Sequence, residues 1–183
     1  MPRRRVTAPL MKAIALLAAS AGQASARGGE PTLAPLAFVR FCMENPADCR
    51  AGRDQRTKPL VWSEDLSQRL ALVNAAVNAQ IIPQVRAPGS GPERWSIAPT
   101  RGDCNDYAVT KRHRLLAQGY PPGALLLAVV TTARNEGHLV LVVRTTRGDL
   151  VLDNLDTAVR PFPETGHHLV SRQTPADPRV WAS

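Results

Sequence analysis

Two apolar runs and the turn that follows them constrain this chain more than any other feature. Ala124 to Thr132 and His138 to Arg144 are nearly unbroken hydrophobic stretches. Stretches of that kind are expected as strands covered on both faces, because an alternating pattern would be needed if one face met water. A third strand, Leu150 to Leu152 with an extension to Asn154, follows Thr145-Thr146-Arg147-Gly148-Asp149, whose composition signals a hairpin. Strands joined by so short a connection pair antiparallel.

Three helices are expected before the strands. Ala34 to Phe41 is a short candidate. Ser63 then reads as an N-cap with Glu64 and Asp65 in the first turn, and Leu66, Leu70, Val73, Val77 and Ile81 follow at helical spacing until Pro83. Asn74 and Asn78 lie close to that apolar face and read as helix-surface amides. Residues 83–102, dense in Pro and Gly, are expected as a wrapped surface loop, with Trp95 packing near Cys104. The third helix runs from Asn105 to Gln118, with Gly119 past its end and Pro121-Pro122 beyond. After Pro161 the chain is rich in Pro, Gly and His and reads as an irregular tail.

Cys104 stands where the loop hands over to the third helix. A thiol at a helix N-terminus gains from the positive end of the dipole, which with a basic neighbour can lower its pKa from about 8.5 to about 3.5–7.5. The chain offers a base at Gly137-His138, at the head of the second apolar run, and a carboxylate at Asp153, at the foot of the third strand. A hairpin loop of about four residues would bring these two within a residue or two of being cross-strand neighbours, so that the carboxylate could fix one imidazole tautomer. Cys42 and Cys49 flank a turn-rich stretch that can fold back to disulfide geometry, and their pairing would leave Cys104 as the odd thiol. The alternative, a buried and inert Cys104, stays open on the residues alone. His113, nine positions along the same helix, falls about 180° round the axis and is not the base. His167 and His168 read as surface histidines of the tail. No Cys-x2-Cys or His-x3-His spacing suggests zinc.

Residues 1–26 have the features of a signal peptide: Arg3, Arg4, Arg5 and Lys12, then the run Ala13 to Ala19, then Ala24-Ser25-Ala26. Export to the periplasm or medium, with cleavage near Ala26, is the expectation, and the apolar run is too short for stable membrane insertion. The chain carries 23 basic and 15 acidic residues; four of the basic ones fall within 1–26, which leaves 19 against 15 in the remainder. That excess is arginine scattered through loops, with aromatics at only 4%, so no nucleic-acid-binding stripe is expected. The expected organisation is one domain over 27–183. It divides into an N-terminal segment 27–60, a core 61–160 and the tail 161–183.

Gly102-Asp103-Cys104-Asn105-Asp106-Tyr107-Ala108, Gly137-His138-Leu139-Val140-Leu141 and Val151-Leu152-Asp153-Asn154 resemble, in that order, the three signature blocks of the bacterial transglutaminase-like cysteine proteinases. The resemblance covers residues 60–160, with a further similar block around Phe41-Cys42. It implies an α+β, papain/transglutaminase-like fold in which Cys104, on a helix N-terminus packed on an antiparallel sheet, is the nucleophile, His138 the general base and acid, and Asp153 the orienter. The implied reaction is hydrolysis of a peptide bond in a periplasmic or surface protein, such as an adhesin, under an inner-membrane regulatory partner. Other readings are an amidase or transglutaminase acting on glutaminyl or cell-wall peptide amides, and a binding module with a vestigial triad. No cofactor is required by that chemistry. The resemblance also implies Ca2+ ligands at Asp103, Asn105 and Asp106. An acidic residue is usual at position 105, so Asn105 removes a formal charge and puts calcium dependence in question.

Overall fold

The computed structural model describes Met1 and residues 29–51, 57–86 and 91–183. The expected signal peptide, apart from Met1, lies outside the described residues. No helix among them is long and apolar enough to cross a membrane.

Helix α1 spans Leu36–Glu44 and α2 spans Glu64–Gln80, which begins as its sequence requires: the Ser63 hydroxyl accepts from the Leu66 N–H at 3.1 Å. The Cys42–Cys49 disulfide ties the end of α1 to the turn that follows. Strand β1 (Pro31–Thr32) precedes these helices, and β2 (Ile82–Pro83) follows them. The 83–102 segment ends in β3 (Arg101–Gly102), which pairs parallel with β2 and so closes the loop at its base. Helix α3 is Cys104–Ala117, and the chain leaves it through Gly119 at φ +87°, a conformation that favours glycine.

Seven strands form one antiparallel sheet in the order β1-β9-β8-β4-β5-β6-β7. At its centre lie β4 (Leu125–Thr131) and β5 (Gly137–Thr145), followed by β6 (Gly148–Leu152) and the two-residue β7 (Arg160–Pro161). The unbroken apolar character of β4 and β5 has the expected cause. Leu139, Leu141 and Val143 face the helices with Leu125 and Leu127, while Val140 and Val142 pack on the opposite face with Leu126, Ala128, Val130 and Val151. Each such side chain contributes about 1.5–3 kcal/mol by leaving water.

The tail corrects the expectation of irregularity. Residues His168–Gln173 are β8, which pairs with β4, and Trp181–Ala182 are β9, between β8 and β1. In β8 one side chain stands in for part of the ladder. Gln173 Oε1 accepts from the Leu127 N–H at 2.8 Å, and the pairing with β4 shifts register between Val129 and Val130. Trp181 is fully buried and meets Phe38 of α1 edge-on, with ring centroids 5.4 Å apart.

Candidate active site

Cys104 is the first residue of α3 and is half-buried. Its position is set by a capping box. The Asp103 carboxylate accepts from the Asn105 N–H at 3.0 Å, and Asp106 Oδ2 accepts from the Asp103 N–H at 3.0 Å. Asp106 Oδ1 also accepts from the Ser96 N–H at 2.7 Å, which fastens the preceding loop to the helix. Gly102 has a steric reason: a Cβ there would stand 2.5 Å from Asp106 Oδ2. Burial pushes the Asp106 carboxyl up, and the backbone N–H groups of Ser96 and Asp103 oppose that.

His138 is the second residue of β5, and Asp153 immediately follows β6. The β5–β6 register pairs Leu141 with Leu152, so its continuation puts Asp153 across from Val140, two residues along from His138. Both side chains are buried, and His138 Nε2 lies 2.7 Å from Asp153 Oδ1. The Cys104 thiol lies close enough to the ring to raise its pKa. The structure therefore gathers Cys104, His138 and Asp153, while His113 lies away from them and pairs with Asp48 at 3.0 Å. Burial opposes a charge on His138, but the hydrogen bonds and charges of Asp153 and Cys104 outweigh it and raise the imidazole pKa to about 9. Burial alone would raise the Asp153 carboxyl. Bonds from His138, with its charge, from the Leu155 N–H and from His167 instead hold it well below the usual carboxylate range.

Four residues at the site carry roles that the sequence reading missed or misjudged. His167 is no surface residue: its Nε2 lies 2.8 Å from Asp153 Oδ2, its side chain is 9% exposed, and its ring centroid is 5.7 Å from that of His138. Its neighbour His168 is exposed, as expected. Asn74 and Asn78 are not surface amides either. Asn74 Nδ2 donates to the Asp156 and Thr157 carbonyls at 3.1 Å, and Asn78 Nδ2 donates to the Asp153 carbonyl at 2.9 Å, so α2 holds the loop that presents the carboxylate. Lys111 is fully buried with its Nζ 5.8 Å from the Tyr107 ring centroid. Burial lowers its pKa to about 7, against the pull of Asp153. Its spacing of seven from Cys104, two helical turns on one face, was the available signal. For the asparagines it was their own spacing of four.

Trp95 is a packing residue, buried against Phe38 of α1 with centroids 5.7 Å apart, and its indole N–H donates to Glu93 Oε1 at 3.3 Å. The same oxygen accepts from Asn105 Nδ2 at 2.5 Å. Asp103, Asn105 and Asp106 thus serve the helix cap and the loop before it. As arranged they do not assemble the six to eight oxygens that calcium takes. Among the described residues, the ligand atoms of His138, Asp153 and His167 come within 4.8 Å of one another. Both imidazole nitrogens there are already at hydrogen-bond distance from the carboxylate, so the group is built as a hydrogen-bonded chain.

A thiol on a helix N-terminus, an imidazole on an adjoining strand and a carboxylate behind that imidazole form an arrangement of the papain type. The sequence profile of the bacterial transglutaminase-like cysteine proteinases matches residues 28–183, and the chain belongs to that family. Among solved structures it is similar to Legionella pneumophila LapG, at 23% identity and TM-score 0.52, over 58% of this chain and 63% of that one. An EGTA-treated LapG matches at 24% identity and TM-score 0.51 over 57% and 61% of the two chains. A calcium-bound LapG matches at 20% identity and TM-score 0.53 over 73% and 82%. These likenesses establish the shared fold, and the first two span less than two thirds of the solved chains. No protein of curated function matches.

Proposed function

We propose that this chain is an exported cysteine peptidase that cuts a peptide bond in a periplasmic or surface protein through a thioester on Cys104. The observation that carries this reading is the orientation of His138. With Nε2 bound to Asp153, Nδ1 is the ring nitrogen left to exchange a proton with the Cys104 thiol. His138 takes that proton, and the sulfur attacks the scissile carbonyl carbon. The carbonyl π electrons move to oxygen, where the Cys104 N–H at the head of α3 stabilises the oxyanion, a type of contact worth about 3–4 kcal/mol. Collapse of this intermediate expels the amine, which takes the proton from His138 and leaves a thioester. Water, deprotonated by His138, then attacks the thioester, giving a carboxylic acid and the thiol. The ion pair of His138 with Asp153 is retained up to a pH near 9.

None of these steps requires calcium. Its binding to Asp103, Asn105 and Asp106 belongs in the ~10⁻⁴–10⁻³ M range of extracellular modules, since the set brings two carboxylates engaged in capping and an amide engaged with Glu93. A surface adhesin is the substrate class, and an inner-membrane regulator the partner, that the family likeness suggests.

The test is cleavage of a peptide library by the purified protein and by its Cys104→Ala variant in H2-18O with an added primary amine. New peptide ends bearing one 18O, absent with Cys104→Ala, are expected. Incorporation of the amine in place of water would assign acyl transfer. No product of either kind, with Cys104 alkylated by iodoacetamide no faster than a free model thiol, would overturn the reading in favour of a binding module.

A further inference from the structure

The Asp153 carboxylate has two oxygens, and both are held. Oδ1 accepts from His138 Nε2 at 2.7 Å and from the Leu155 N–H at 3.0 Å, while Oδ2 meets His167 Nε2 at 2.8 Å. A carboxylate held on one side can turn about its Cβ–Cγ bond, whose energy wells are broad. Held on both sides it cannot turn without losing a bond inside a buried site. On these grounds, and given the peptidase reading above, we propose that His167 is a positioning residue. Through Asp153 it fixes the plane and tautomer of the His138 ring, and the working unit is a Cys104–His138–Asp153–His167 chain.

The Asp153 carboxylate can only accept, so His167 carries a proton on Nε2 and donates it to Oδ2. Nδ1 is buried without a hydrogen-bond partner, so the bond to Asp153 is what the His167 side chain contributes. The site is reached from one side: Asp153 and His167 line a cavity of about 190 Å³ together with Thr165, Glu164 and Arg160. The two-residue step from Thr165 to His167 is itself fixed by a bond from the His167 N–H to Thr165 Oγ1 at 3.2 Å.

The experiment follows the His138 ring by NMR in the parent chain, His167→Ala and His167→Gln, alongside peptide turnover. In the parent the Nε2–H proton should stand far downfield and the ring should titrate near pH 9. With His167→Ala the carboxylate turns: the downfield proton is lost to exchange, and the midpoint falls by at least about one pH unit. The same variant should lower kcat about 10- to 100-fold with KM within about twofold, as small misplacements of catalytic groups do. His167→Gln carries an amide N–H that can reach Oδ2 and should recover most of each signal. A parent-like spectrum in His167→Ala, or equal loss in Ala and Gln variants, overturns the inference. The NMR readout needs no substrate. A parent chain that cleaves nothing would therefore sink the peptidase reading while His167 is still judged.

Discussion

Removal of Lys111 should stabilise this protein. It is fully buried, its Nζ has no hydrogen-bond partner, and burial lowers its pKa from 10.5 to about 7 despite Asp153. At about 1.36 kcal/mol per unit, that shift corresponds to a folding penalty on the order of 3–5 kcal/mol once allowance is made for relaxation around the amine. The sign follows from the depressed folded pKa of a base. Between pH 7 and 10.5 the unfolded chain binds the proton and the folded chain does not, so the penalty is full below pH 7 and fades as pH rises towards 10.5. Methionine has a similar unbranched shape and no charge. Urea unfolding of the parent and Lys111→Met should show the variant more stable by about 3–5 kcal/mol at pH 6, with the gap narrowing by roughly 2–3 kcal/mol by pH 9. His138 acts in the opposite sense. Its raised pKa of about 9 gives stability that is full below 6.5 and is lost as pH rises through 9. That contribution is common to both proteins and cancels in the difference, provided the urea m-values agree. A gap that stays constant within about 0.5 kcal/mol from pH 6 to 9, or a less stable variant at pH 6, would refute the account of Lys111 as a buried, unpaired amine.

Two further outcomes follow from the site. Asp153→Asn should keep the fold and a titratable Cys104 thiol but lower turnover by about three to four orders of magnitude, as loss of the orienting carboxylate does in comparable triads, whereas His113→Ala should cleave at the parent rate; a dead His113→Ala beside an active Asp153→Asn would reverse the assignment. Asn105→Asp puts a carboxylate against Glu93 Oε1, now an amide contact at 2.5 Å, so it should cost about 1.5–3 kcal/mol in EGTA and regain stability in millimolar calcium, while the parent gains only about 0.4–1.4 kcal/mol at about 1 mM calcium; calorimetry showing sub-micromolar calcium binding by the parent would contradict this.

The elements that carry Cys104, His138 and Asp153 were legible because each announces itself locally. A cap, a Gly and a helical period mark the start of α3; two apolar runs mark β4 and β5; Thr145 to Asp149 mark the turn that sets the β5–β6 register. His167 was not legible, for the reason that hid β8. It immediately precedes β8, which joins β4 across some forty residues of sequence and whose ladder is completed in part by the Gln173 side chain. Polar residues without periodicity read as surface until their partners are known. Asn74 and Asn78 failed in the same way: their partners are main-chain carbonyls of a loop far along the sequence, which composition does not encode.

The three candidate catalytic groups are thus placed by devices of different range, and this determines how the site should respond to change. Cys104 depends on its own neighbourhood, where Gly102, Asp103 and Asp106 lock the first turn of α3. His138 depends on the buried ladder of β4 and β5, the most protected part of the sheet. Asp153 depends on neither. It lies past the end of β6 and is held by the Leu155 N–H two residues on and by two distant contributions: the amides of α2 on the backbone of its loop, and His167, which immediately precedes β8. Local opening of the tail or slippage of α2 therefore reaches the carboxylate before it reaches the thiol or the imidazole. The resulting state would keep a cysteine beside a histidine that has lost its orientation, so thiol labelling and turnover should part company under mild destabilisation, with turnover failing first.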